Sequence, residues 1–250
     1  MKIVRARVSS SLRYFERGFL ENYNLLPAQK HNEPVIMFGM YRTEDYCFFQ
    51  RHRAPIIVVW CGTDSMRISP KGLKILKCKY ANHIATHDFG SADLKAHGIA
   101  HRVYPITPGK IDLQLEPRGD KLYYYGSKRR NYLYGGHMVD EIEQRTGIEI
   151  IRAEAHTYNK EQLKQVYKDC FLALRLTSHD GVPTTVLEMG FMGRKSVFNG
   201  SVPHCIRWKG IDDICETVKR EFEARHQDNA YIANDIRNFI NIGDQWQTFI

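Results

Sequence analysis

The stretch CFLALRLTSHDGVPTTVLEMGFMGRKSVFNG, residues 170–200, decides which fold the rest of the chain must complete. It begins with an apolar run, Phe171 to Leu176, that has the length and character of a buried parallel strand. A polar loop containing Gly and Pro follows, and Val186 to Phe191 then places apolar residues at helical spacing. A strand, a polar loop and a helix N-terminus can hold an anion, because unpaired N–H groups and the helix dipole both point into the loop.

Two acidic residues lie at the two ends of this loop and first helical turn. Asp180 is on the loop, and Glu188 follows one turn into the helix. The run between them, DGVPTTVLE, resembles the signature Glu-Gly-x-Pro-x-x-x-Leu-Glu of nucleotide-sugar glycosyltransferases of the GT-B fold, especially glycosyltransferase family 4. The one departure is Asp180, where the family usually has Glu. The resemblance implies that Glu188 holds the ribose hydroxyls of the donor and that Asp180 contacts the transferred sugar.

The resemblance also assigns the intervening loop to the donor site, namely Gly181, Val182, Pro183 and Thr184. Thr184 is in addition a residue type that can cap the helix. The alternative is structural: strand–loop–helix units with an acid on the helix occur in every doubly wound fold, and most such acids are solvated.

Composition places the chain among ordinary soluble globular proteins, with 250 residues, 43% hydrophobic and 26% charged. We expect a cytoplasmic protein, since the sequence shows no transmembrane run and no signal-peptide core, and the six scattered cysteines contain no Cys-x-x-Cys pair. The eleven histidines form no zinc motif, and no Asp-x-Asp run stands in a suitable place, so no metal or other cofactor is expected. The net charge of +8 favours a polyanionic partner.

Strand and helix patterns alternate along the chain, which predicts parallel α/β sheets. Before residue 107 we predict strands at 2–8, 34–39, 55–60, 83–86 and 102–106, and helices at 10–26, 43–53, 68–79 and 91–97. After an irregular linker at 106–120 we predict strands at 121–125, 148–153, 171–176 and 196–198 and at Ile206, and helices at 135–145, 159–169, 184–193 and 211–226. The resemblance implies two Rossmann-like halves facing a cleft: an acceptor-side domain at 1–115, shorter than is usual, a nucleotide-sugar domain at 116–230, and a helical tail at 231–250.

Basic and aromatic residues follow the first two strands of the second half. In the resembling family, a basic pair after the first strand grips the donor diphosphate, and Lys128 and Arg129 are the candidates here. A solvated basic turn is the alternative. After the next strand, His156 or Tyr158 could stack on the nucleotide base.

Residues after the central strands of the first half are candidates for the acceptor or the sugar. Gly62 would permit close approach of a ligand, and Thr63 adjoins it. Asp64 could act in catalysis by hydrogen-bonding a substrate hydroxyl, or could instead cap the next helix. His87 follows the next strand, near the position where other members of the family place a residue that touches the sugar.

The sequence therefore predicts a retaining, metal-independent glycosyltransferase that uses a nucleotide sugar, most simply a UDP-sugar. The acceptor is open between a hydroxylated base in DNA, as in the DNA-modifying enzymes of phages, and a lipid or glycan. A nucleotide-sugar epimerase of the same fold is a rival, as is a non-catalytic nucleic-acid-binding α/β module.

Overall fold

The computed structural model describes residues 5–154, 157–177 and 180–240. The chain divides into two compact units, the first running to Lys110 and the second from Ile111 to Phe239. The predicted boundary at 115/116 lies close to this division.

The first unit is an alternation of short parallel strands and helices. Its elements are β1 (Arg5–Val8), α1 (Glu16–Asn22), β2 (Leu26–Pro27), β3 (Val35–Phe38), α2 (Thr43–Arg51), β4 (Ile56–Trp60), α3 (Pro70–Lys77), β5 (Asn82–Ala85), α4 (Asp88–Ala96) and β6 (Arg102–Val103). Among the described residues the strands form one parallel sheet in the order β2-β1-β3-β4-β5-β6. Every residue of β3 and β4 is buried, as continuous apolar strands covered on both faces should be.

The second unit repeats this plan. Its elements are β7 (Lys121–Tyr125), α5 (Val139–Thr146), β8 (Ile150–Ala153), α6 (Lys160–Lys168), β9 (Cys170–Leu174), α7 (Thr184–Phe191), β10 (Lys195–Val197), β11 (Cys205–Ile206), α8 (Ile211–Glu223) and α9 (Ala230–Ile240). The described strands form a parallel sheet in the order β11-β10-β9-β7-β8. The prediction of two Rossmann-like α/β halves is confirmed.

The second sheet has a switch point between β7 and β9. The chain passes from β7 to β8 on one side of β7, and then adds β9 on the other side. Ligands of open parallel sheets bind outside the carboxyl ends of the strands at such a switch point. The loops that follow β7 and β9 are therefore the part of this unit where topology favours a site.

The first helix differs from its prediction. Residues Ser10–Phe15 form a 3-10 turn with a kink at Leu12, and only Glu16–Asn22 is α-helical. The described part of the predicted tail belongs to α9 (Ala230–Ile240). Its Ile236 packs on α7, where a Cβ on Gly190 would lie 2.6 Å from Ile236 Cγ1.

The segment at 106–120 contains no helix or strand, as predicted, yet its first part is attached to the first unit. The Tyr23 hydroxyl donates to the Thr107 carbonyl at 3.0 Å and accepts from the Thr107 N–H at 3.1 Å. A Cβ on Gly18 of α1 would lie 1.8 Å from the Pro108 carbonyl oxygen, so the helix requires glycine where this segment crosses it.

The last part of the segment is attached to the second unit by a buried arginine. Arg194, 1% exposed, donates to the carbonyl oxygens of Glu116 at 2.8 Å and Cys170 at 3.2 Å, and also to those of Pro117 and Met192. Burial lowers the pKa of Arg194 to about 10, which leaves it charged at neutral pH. The Arg194 guanidinium thus connects three parts of the second unit: the segment that leads into β7, the start of β9 and the end of α7.

Replacing Arg194 with Met should lower the free energy of unfolding by about 3 kcal/mol or more, because several buried carbonyls lose their donor. Arg194→Lys should recover little of this, since an ammonium group cannot reach four carbonyls in a planar arrangement. Urea denaturation would measure the loss as a lower midpoint, provided that the slope of the unfolding free energy against urea concentration is unchanged. Arg225→Met, which removes a single carbonyl contact near the surface, is the matched control. Equal midpoints for the two Met variants would contradict this account of Arg194.

Candidate functional site

The loop that leads into α7 carries the first of the two acids. Asp180 Oδ1 accepts from the Gly181 N–H at 2.9 Å, and Asp180 Oδ2 accepts from Arg175 Nε at 2.9 Å and from Arg175 Nη2. The Asp180 side chain is still 27% exposed, whereas that of Arg175 is 10% exposed. Asp180 is therefore fixed in orientation while part of its carboxylate faces solvent.

The Arg175 guanidinium lies near two aromatic rings. Its central carbon is 4.9 Å from the centroid of Tyr134 and 5.2 Å from that of Tyr125. Tyr125 ends β7, and Arg175 comes directly after β9. These contacts hold the Asp180 loop at the switch point of the sheet.

The rest of the loop forms the start of α7. Pro183 is the residue that precedes the helix, and its carbonyl accepts from the Val186 N–H at 3.0 Å. Thr184 is the first helical residue and does not cap it, contrary to the prediction. Gly181, Val182 and Thr184 are partly exposed, and Pro183 is buried. Residues 178 and 179 lie outside the described residues.

Glu188, the second acid, lies in α7 and is held by a tyrosine. The Tyr167 hydroxyl donates to Glu188 Oε2 at 2.6 Å, and Tyr167 is itself 1% exposed on α6. The Tyr167 ring packs edge-on against Tyr123 of β7, with the ring centroids 5.0 Å apart. Burial raises the pKa of Glu188, while the Tyr167 hydrogen bond and the Lys160 charge lower it. One carboxylate oxygen is thus engaged and oriented by the protein.

The basic turn after β7 lies at the same edge of the sheet. Residues Lys128–Arg130 form a 3-10 turn, and all three side chains are exposed. The Lys128 N–H donates to Glu154 Oε1 at 3.1 Å, which joins this turn to the loop after β8. A groove of about 680 Å³ lies beside it, lined in part by Lys128, Glu154 and Arg152.

Tyr158, a candidate for stacking on the nucleotide base, follows β8, and that role stays a prediction. It is half-buried and packs against the apolar cluster that contains Tyr123 and Tyr167. Its neighbour Thr157 lines the groove beside the basic turn. His156, the other candidate for the base, lies outside the described residues.

Asp64 in the first unit is a structural residue, which corrects the predicted substrate contact. It is 0% exposed, and its carboxylate accepts the N–H groups of Met40 at 3.0 Å, Gly62 at 3.0 Å and Cys61 at 3.3 Å. It makes no capping bond to the 3-10 turn that follows, so the capping alternative is wrong too. Its role is to tie the loop after β4 to the loop after β3. Thr63 beside it is exposed.

Two more predicted residues of the first unit have structural contacts. A Cβ on Gly62 would lie 2.9 Å from the Tyr41 hydroxyl, so the close approach that glycine permits here is to Tyr41. His87 is 7% exposed and caps α4, its Nδ1 accepting from the Gly90 N–H at 3.0 Å. That helix therefore begins at Asp88, three residues before the predicted start.

Neither a metal-binding group nor a membrane-spanning helix is found among the described residues. They contain no group of three or more His, Cys, Asp or Glu residues placed to hold a metal ion. None of the helices in that part of the chain combines the length and apolar character that crossing a bilayer requires.

Solved structures with the same architecture exist at low sequence identity. The chain is similar to the pneumococcal O-GlcNAc transferase GtfA, solved with UDP and GlcNAc, at 14% identity and a TM-score of 0.56, covering 86% of this chain and 56% of GtfA. It is similar to the lipopolysaccharide outer core galactosyltransferase WaaB at 16% identity and a TM-score of 0.55, covering 84% and 71%. It is also similar to the N-terminal domain of Candida albicans trehalose-6-phosphate phosphatase at 11% identity and a TM-score of 0.62, covering 96% and 79%.

The chain has the GT-B fold. The fold that the resemblance implied is thereby confirmed, and family 4 within it stays a prediction. The chain spans little more than half the length of GtfA. No protein-family model matches it, and no curated protein matches it significantly by sequence.

Sequence reasoning missed two residues of this site, Tyr167 and Arg175. Arg175 had a usable signal, because a charged residue inside the apolar run 171–176 must find a partner if the run is buried. Tyr167 had none, since a tyrosine on the inner face of an amphipathic helix is equally typical of core packing.

Asp64→Asn should destabilise the protein by an amount that shrinks as the pH rises. Burial raises the pKa of Asp64 from 3.8 to about 6, so the folded state binds this proton more tightly than the unfolded state. As the pH rises from 3.8 to about 6, the wild-type protein therefore loses up to roughly 3 kcal/mol of its free energy of unfolding from this group. The amide of the variant does not titrate and has no such loss. Urea denaturation of both proteins near pH 3.8 and again above pH 6 tests this. A penalty that grows with pH would contradict it.

Proposed function

We propose that this chain is a glycosyltransferase that binds a nucleotide-sugar donor at the carboxyl edge of its second sheet. One observation carries the proposal: Asp180 and Glu188 belong to a single strand–loop–helix unit at the switch point, with a basic turn on the neighbouring strand. Two acids that suit sugar and ribose hydroxyls thus lie at one edge of the sheet. A cluster of cations that suits a diphosphate lies at the same edge.

Each group has a distinct role in the proposed site. Glu188 accepts hydrogen bonds from the ribose hydroxyls through the oxygen that Tyr167 leaves open. Asp180 contacts the transferred sugar, and the loop at 181–184 lies along the donor. Lys128 and Arg129 neutralise the diphosphate, which is the leaving group.

The donor is proposed to be a UDP-sugar, and two similar structures support that choice. GtfA was solved with UDP and GlcNAc. TarM of S. aureus, which is similar to this chain at 10% identity and a TM-score of 0.57, was solved with UDP and a GlcNAc-glycerol. A shared fold at this identity supports a donor class and leaves the sugar open.

Transfer is proposed to retain the anomeric configuration and to need no metal ion. The site would work by positioning the sugar and stabilising the departing diphosphate, with no strong general base. Lys128 and Arg129 supply the positive charge that a divalent ion supplies in other transferases.

For the acceptor we propose a hydroxylated base in DNA, with a lipid or glycan as the alternative, and we place the enzyme in the cytoplasm. The excess positive charge of +8 favours the polyanion. A non-catalytic nucleic-acid-binding module would share that charge, but it would not respond to a nucleotide sugar.

The donor site predicts stabilisation by UDP-sugars. At 100 times its dissociation constant, the donor should raise the free energy of unfolding by about 2.7 kcal/mol, measured by thermal melting across a panel of nucleotide sugars. Glu188→Ala should abolish most of this shift, and Tyr167→Phe should reduce it, because the carboxylate loses the hydroxyl that orients it. Glu161→Ala, an exposed acid on α6, is the control and should melt like the wild type. No shift with any donor, or a full shift in folded Glu188→Ala, would overturn the site.

Asp180→Asn should slow transfer more than it weakens nucleotide binding, because Asp180 contacts the sugar and not the nucleotide. Slow donor hydrolysis, which needs no acceptor, gives the rate, and melting with free UDP gives the affinity. Equal losses in both, in a variant that melts like the wild type without ligand, would make Asp180 a nucleotide ligand. Glu149→Gln breaks an exposed ion pair with Lys121 away from the loop and controls for lost charge.

A further inference from the structure

An exposed pair of stacked rings lies directly beside the basic turn. Tyr132 is 82% exposed, and its ring lies parallel to that of His137, with centroids 4.5 Å apart and planes 13° from parallel. An aromatic ring this exposed makes little use of its apolar surface within the fold. Its outer face is open to a further flat group.

The third cation of the turn, Arg130, is available to a partner, because the proposed donor site uses Lys128 and Arg129. Among the described residues, none of Lys128–Arg130 has an ion pair with an acidic side chain. Arg130 therefore carries a positive charge that no described acidic side chain neutralises, beside the stacked rings.

The segment that carries these groups is held in shape by its own backbone. The Arg130 N–H bonds the Ser127 carbonyl at 3.0 Å, and the Tyr134 N–H bonds the Arg130 carbonyl at 3.2 Å. Gly135 has φ of +68°, which favours glycine, and turns the chain toward His137. Less conformational entropy is then lost when a ligand binds.

We propose that residues 128–137 form a docking surface for single-stranded or flipped-out nucleic acid, in which Tyr132 stacks on a base and Arg130 holds a phosphate. Aromatic stacking next to positive charge is how proteins hold unpaired strands. The surface follows β7 and so borders the edge that carries Asp180. The inference rests on the proposed function where it names the bound nucleic acid as the acceptor. The binding itself does not depend on transfer.

An anionic membrane is the other partner that cations and exposed rings could serve, and the segment fits it less well. Membrane-surface segments present an apolar face that enters the bilayer. Here Leu133, 46% exposed, is the aliphatic residue at the surface, and Tyr132 lies flat on His137. A flat ring with one open face suits a base better than an acyl chain.

Fluorescence anisotropy with a labelled thymidine oligonucleotide tests the surface. Binding by the wild type should weaken as the salt concentration rises from about 50 to 200 mM, because phosphate contacts release counterions. Tyr132→Ala should weaken it about tenfold, and Arg130→Gln should both weaken it and reduce the salt slope by about one. The controls are Tyr80→Ala, an 87% exposed tyrosine of the first unit, and Lys71→Gln, an exposed cation of α3; both should bind as the wild type does.

The outcomes separate this surface from the donor site. UDP-sugar melting shifts should be unchanged in Tyr132→Ala, since that side chain has no part in holding the donor. Oligonucleotide binding that depends on Tyr132 in a protein that no donor stabilises would support the surface and reject the transferase. Absence of oligonucleotide binding at low salt, equal binding by Tyr132→Ala, or binding only to phosphatidylserine vesicles would each overturn the surface.

Discussion

The ion pair between Arg175 and Asp180 is the interaction on which the second unit's functional edge depends. A guanidinium at the end of a buried strand is costly unless an acid and hydrogen-bond acceptors reach it. Asp180 supplies that acid, and the rings of Tyr125 and Tyr134 cover the rest of the cation. The pair therefore fixes Asp180, four residues before α7, beside the end of β9.

This arrangement gives one carboxylate two tasks. Asp180 neutralises Arg175, and its remaining exposed surface is what the proposed donor sugar would meet. A glutamate, which the resembling signature usually has here, would carry its carboxylate one methylene further from its backbone. The shorter Asp180 side chain accepts from Arg175 Nε at 2.9 Å.

Most of the fold could be predicted because the strands β3, β4 and β9 are continuous apolar runs that only a two-sided sheet can bury. The elements around the Asp180–Glu188 motif could also be predicted from local sequence, and the structure has the strand before the motif and the helix at its end. Contacts between distant segments could not be predicted. Asp64 looked like a site residue from its neighbours, and only the approach of the Met40 N–H, from a separate loop, makes it structural. Whether Glu188, Lys128 and the loop at 181–184 bind a donor stays a prediction.

The attachment of residues 107–118 has a consequence for how the two halves can be separated. Thr107 and Pro108 are held by Tyr23 and α1, whereas the carbonyls of Glu116 and Pro117 are held inside the second unit by Arg194. The part of the connection that belongs to neither unit is thus only a few residues around Lys110. A recombinant second half should therefore start there, because a start after Pro117 would remove two of the backbone carbonyls to which the buried Arg194 guanidinium donates.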